Sequence, residues 1–73
     1  MDKARIVVLI SEVLGIEVSL LSSDSGLGVT PGWDSLAHLE ILTKLEAETG
    51  KKVSVEDSIF AESLEDLCDL FND

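Results

Sequence analysis

Along the first helix-length stretch, Ile6, Val7, Leu9, Ile10, Val13 and Leu14 recur at steps of three and four, the mark of one buried helical face. Ile6-Val7-Val8 is β-branched enough for a strand, but the segment is too long for one and does not alternate. Asp2 suits the N-cap, and Gly15 suits the left-handed stop. A second pattern opens at Asp34, a good N-cap, and closes near Thr49-Gly50. Lys51-Lys52 lie just beyond, where cations favour the negative end of a helix. Ser54-Val55-Glu56-Asp57 has capping-box spacing, with Asp57 in place of the usual Glu or Gln, and opens a short helix to about Phe60. Ser63-Leu64-Glu65-Asp66 repeats the signal and opens a last helix whose Leu64, Leu67, Cys68 and Phe71 share one face. The pattern predicts an all-α chain of four helices, the third one short.

Between the first two helices, Ile16 to Trp33 shows no period. Ser22-Ser23-Asp24-Ser25-Gly26, Gly28 and Pro31-Gly32 are turn signals. A loop this long is uncommon in a compact domain. Ile16, Val18, Leu20, Leu21, Leu27 and Val29 read as anchors pinning it to the core, with a helical turn around Val18 to Leu21. Trp33 is expected to pack over the edge of the core.

Composition narrows the function classes. Seventy-three residues make one domain, 1–73, near the lower size limit for independent folding and without room for a deep catalytic cleft. One Cys and one His exclude an internal disulfide and a structural zinc site. Asp24-Ser25-Gly26 lacks the alternating ligands of a calcium loop, so no metal site is expected. Hydrophobic residues reach 45% but aromatics only 4%, so the core must be aliphatic, with Cys68 as a small buried member. Fifteen acidic against five basic residues leave a net charge of −10. That charge opposes binding to nucleic acid or to an anionic membrane surface, and suits partners with basic patches. No apolar run reaches the roughly 18 residues of a membrane span, and no small-residue cleavage site follows the N-terminal apolar stretch. A soluble cytoplasmic protein is the reading.

Wound at about 100° per residue, the second helix gathers Ile41, Leu42 and Leu45 on one arc, with His38 and Thr49 between them. Leu36, Glu40, Thr43 and Ala47 lie opposite, with Ser35 and Leu39 on a flank. Leu36 therefore points to solvent in the first turn. A lone exposed Leu is ordinary. The sharper reading is an apolar contact within an acidic rim of Asp34, Glu40, Glu46 and Glu48, suited to a basic partner. Ser35 and His38 are helical neighbours, but with no deep pocket or evident oxyanion donors a nucleophilic pair is not supported, and His38 reads as a packing or capping residue.

Gly32-Trp33-Asp34-Ser35-Leu36 resembles the phosphopantetheine attachment motif of acyl carrier proteins, Gly-x-Asp-Ser-Leu. The likeness continues through Leu39-Glu40, Ile41-Leu42 and Leu45-Glu46, back to Val13-Leu14-Gly15 and forward through Glu56-Asp57-Ser58 to Phe71. It covers nearly the whole chain. The resemblance implies a small four-helix bundle of the acyl-carrier type, with a long first loop and a short third helix. It implies a carrier rather than an enzyme. Ser35 would be esterified with 4'-phosphopantetheine from coenzyme A by a phosphopantetheinyl transferase, with magnesium held largely by that enzyme. Acyl groups would then ride as thioesters on the arm. Partners would read Asp34, Leu36, Leu39 and Glu40, together with Thr43, Glu46 and Ala47. They would be the transferase, an acyl-loading ligase or transferase, and synthase enzymes with basic patches. A shuttling monomer is the natural form. Ala37, His38, Thr43, Lys44, Ala47 and Thr49 depart from the family's fatty-acid carriers, and Trp33 is similar to stand-alone specialised carriers. This points away from the housekeeping fatty-acid carrier and toward a dedicated carrier for a polyketide, a specialised lipid or an amino-acid-derived unit, in specialised lipid, polyketide or fatty-acid-type biosynthesis. Two alternatives stand beside this reading: an aminoacyl or peptidyl carrier, and an unmodified acidic helical interaction domain.

Overall fold

The computed structural model describes residues 2–71. Four helices follow in order: α1 (Lys3–Leu14), α2 (Ser35–Thr49), α3 (Val55–Phe60) and α4 (Leu64–Phe71), with a 3-10 turn at Val18–Leu20. Each start has the expected chemistry. The side chains of Asp2, Asp34 and Ser54 accept from the backbone N–H groups of Arg5, Ala37 and Asp57, and Ser63 Oγ accepts from Asp66 N. These contacts satisfy donors that a helix leaves open at its first turn. Gly15 and Gly50 end α1 and α2 at φ of 70° and 72°, a region where a Cβ would be strained.

The core is aliphatic, as the composition requires. Ile6, Leu9 and Ile10 of α1 meet Ile41, Leu42 and Leu45 of α2 and Leu64, Leu67, Cys68 and Phe71 of α4. Burial of Cys68 pushes its thiol pKa up. Helix α3 contributes no buried residue. Its six residues are too short to bury a full stripe, so it sits as a wall on the bundle.

The long first connection is ordered, but its anchors differ from expectation. Leu21 and Leu27 pack against the core, whereas Val18, Leu20 and Val29 are exposed. The loop is held mainly by its backbone. Leu27 N donates to Glu62 O at 2.8 Å, and Leu64 N donates to Ser25 O at 2.8 Å. This clasp joins the loop to the α3–α4 junction and forms an isolated bridge between Gly26 and Ser63. A Cβ on Gly26 would lie 2.5 Å from Glu62 O, so only glycine permits the approach. Trp33 also departs from expectation. At 2% exposed it lies inside the core rather than over its edge.

Candidate functional site

The junction between the loop and α2 brings the sequence candidates together. A tight turn precedes it: Gly28 N donates to Trp33 O, and Trp33 N donates to Thr30 O, both at 3.0 Å. Trp33 is thereby driven inward, while Asp34 stays outside as the cap, its Oδ1 accepting from Ala37 N at 2.8 Å. Ser35, the first residue of α2, is exposed. Among the described residues no acceptor takes the backbone N–H of Ser35 or Leu36. Two open donors at the positive end of a 15-residue helix form an environment suited to an anion.

The first turn of α2 is stapled from within. Trp33 stands just before the cap and His38 four positions into the helix, the spacing at which an apolar pair fixes the entry of the chain. Here the pair also shares a hydrogen bond, Trp33 Nε1–H to His38 Nδ1 at 2.9 Å, with both rings buried. Because Nδ1 accepts, the ring proton is assigned to Nε2, which faces the Ser58 carbonyl at 3.4 Å. Both ring nitrogens are thus engaged, and neither is free to act as a base toward Ser35.

Beside Ser35 opens a cleft of about 290 Å³ between α2 and α3. Its walls are Leu27, Leu39, Leu42 and Ile59, with Ser35, His38, Ser58 and Glu62 supplying the polar atoms. Leu39 is 61% exposed, so it belongs both to the cleft wall and to the outer face.

The outer face carries the remaining candidates unevenly. Leu36 is 77% exposed, and Glu40, Thr43 and Ala47 are also exposed. Thr43 turns its hydroxyl back to Leu39 O at 2.9 Å. Glu46 is half-buried, and its Oε2 accepts from Val53 N at 2.8 Å, tying the α2–α3 loop. Glu48 pairs with Arg5 at 2.9 Å. Of the acidic rim, Glu40 alone among the described residues has no polar partner for its carboxylate. The sequence reading missed the Trp33–His38 bond and the part played by Leu27, Ser58, Ile59 and Glu62 in the cleft. The pre-cap to fourth-position spacing was a signal for the first; nothing local marked the second.

The family model described as the phosphopantetheine attachment site matches residues 4–71. The chain belongs to the phosphopantetheine carrier family. Comparison with curated proteins gives no significant match. The match takes in all four helices, the stapled junction and the cleft, and a carrier domain of this family is the site of covalent 4'-phosphopantetheine attachment. The residues at the start of α2 fit that group: a hydroxyl open to solvent, two free N–H donors for a phosphate, and a rigid base beneath them. Among the described residues no helix is long and apolar enough to cross a membrane.

Proposed function

We propose that Ser35 bears the phosphopantetheine arm and that the chain carries acyl groups on it as thioesters, without catalysing a reaction itself. The observation that carries this reading is the exposed Ser35 hydroxyl at a helix start whose N–H groups are open and whose first turn is locked by Trp33 and His38. In the transfer, the Ser35 oxygen joins the phosphorus of the pantetheine phosphate. The anhydride bond of coenzyme A breaks, the adenosine bisphosphate leaves, and the hydroxyl proton passes to the transferase or solvent. The arm then supplies a thiol for thioester chemistry, and its tether raises the effective concentration of cargo at each partner enzyme. The apolar cleft beside Ser35 favours an acyl over an aminoacyl cargo, since its walls offer aliphatic contact. The engaged nitrogens of His38 support a carrier rather than a serine hydrolase.

In the same proposal, Asp34, Leu36, Leu39, Glu40, Thr43 and Ala47 form the face read by the transferase and the loading and synthase enzymes, with Glu46 at its edge. The carrier works as a cytoplasmic monomer beside its coenzyme A donor, in polyketide, specialised-lipid or fatty-acid-type synthesis. The test is the intact mass after incubation with coenzyme A, magnesium and a broad-specificity phosphopantetheinyl transferase. A gain of one arm on the Ser35 peptide, lost in Ser35→Ala, is expected. A folded protein that gains nothing, or a Ser35→Ala variant that still gains the arm, would overturn the assignment.

A further inference from the structure

The chain has three aromatic residues, and two of them, Trp33 and Phe71, are buried. The third, Phe60, ends α3 and is 79% exposed. It borders a shallow groove of about 320 Å³ between α3 and α4, floored by Ala61 and Leu70 and rimmed by Asp57, Asp66 and Asp69. This groove shares no lining residue with the cleft beside Ser35.

The rim gathers three carboxylates with no cation among the groove's lining residues. Asp57 and Asp66 stand in first turns, where the helix dipole favours an acid. Asp69 stands in the last turn of α4, where the dipole opposes it, and three positions after Asp66, where like charges repel. No Lys or Arg lines the groove, and no side chain among the described residues gives these three carboxylates a hydrogen bond or ion pair. Among the described residues no cluster of His, Cys, Asp or Glu is suited to a metal ion. An exposed aromatic and an acidic rim thus share one place, and an exposed apolar contact rimmed by polar groups marks a surface that is used.

We infer that the α3–α4 groove docks a basic segment of a partner protein, an apolar side chain entering against Phe60, Ala61 and Leu70 while flanking Arg or Lys residues neutralise Asp57, Asp66 and Asp69. One contact covers the aromatic and complements the rim. Apolar burial supplies affinity, and the charges supply orientation and rate of encounter. The surface lies apart from the cleft beside Ser35, so it is a second handle on the molecule.

The test uses the full chain and a short synthetic peptide with one Leu flanked by Arg on both sides. Two control peptides replace Leu by Ala, or Arg by Gln. Amide shifts in ¹H–¹⁵N spectra should centre on Phe60, Ala61 and Leu70. Phe60→Ala should weaken binding about tenfold, the effect of losing one buried apolar contact. Asp69→Asn should weaken it about threefold at low salt and less at high salt, while leaving the melting temperature unchanged or raised. Shifts centred on Leu36, Leu39 and Glu40 would overturn the proposal. So would equal affinity for the Ala peptide, which is attraction to net charge alone. A lower melting temperature for Asp69→Asn would also overturn it, because the carboxylate would then serve the fold.

Discussion

The hydrogen bond between Trp33 and His38 can be isolated by a double-mutant cycle. In His38→Leu the indole N–H loses its acceptor inside a core where Trp33 is 2% exposed, and water cannot replace it. An unsatisfied buried donor costs about 1–3 kcal/mol. A chain of this length has roughly 4–11 kcal/mol of stability in all, so the loss is a sizeable share. It corresponds to a fall in melting temperature of about 4–8 °C per kcal/mol. Trp33→Phe removes the donor and some apolar area. Trp33→Phe/His38→Leu removes both polar partners and leaves two apolar side chains in contact. The double variant should therefore be more stable than the sum of the single losses allows, with a coupling of about 1 kcal/mol. Urea unfolding followed by circular dichroism gives the four free energies. The indole N–H resonance reports the bond directly, as a slowly exchanging proton that exchanges faster in His38→Leu. A coupling below about 0.3 kcal/mol, within the additivity error of such cycles, would refute the bond as a structural element.

Other outcomes follow from the same packing and contacts. Leu45 of α2 is fully buried in the common core, and Leu45→Ala should cost about 2–5 kcal/mol in denaturant unfolding. Glu40→Lys should slow turnover with cognate loading enzymes and leave unfolding unchanged. Glu46→Lys should do both harms, because it also removes the acceptor of Val53 N; equal unfolding curves for the two variants would contradict this division. The folded state holds the Cys68 thiol protonated more tightly than the unfolded chain does. Its contribution to stability is therefore complete below the unfolded thiol pKa of about 8.5 and is lost as pH rises from there through the higher folded value. Cys68→Ala should flatten that alkaline slope in unfolding experiments between neutral pH and pH of about 10.

The helix boundaries were legible because they depend on local chemistry. Asp2, Asp34, Ser54 and Ser63 cap what they were expected to cap, and Gly15 and Gly50 stop what they were expected to stop. The core arc of α2 was legible from its period, and Leu36 emerges exposed as the wheel requires. The loop was less so. Hydrophobicity alone made anchors of Val18, Leu20 and Val29, yet backbone hydrogen bonds from Ser25 and Leu27 to the α3–α4 junction hold the segment, and such bonds carry no side-chain signature except the bare Cα of Gly26. Trp33 was misplaced for a related reason. As a loop residue just before the cap it read as an edge position, whereas the turn drives it inward and His38 supplies an internal acceptor for its N–H. Charge was the least legible feature. The count of acidic residues says nothing of which carboxylates are engaged: Glu46 accepts from Val53 N and Glu48 pairs with Arg5 at the surface, while Glu40 does neither.

Of the four helices, α3 is the least tied to the core. With no buried residue of its own, it is fastened by the Glu46–Val53 tie before it, by Ala61 and the loop clasp after it, and between them by the single long contact of the Ser58 carbonyl with His38 Nε2. Sub-global opening costs least where the least apolar surface is exposed by it. Amide protons of α3 should therefore exchange orders of magnitude faster than those of Ile41, Leu42 and Leu45, through openings that leave α1, α2 and α4 packed. Such openings would part Ile59 from the cleft and break the His38–Ser58 contact while the Trp33–His38 staple stays closed, so access to the cleft and structural integrity would draw on different reserves of free energy.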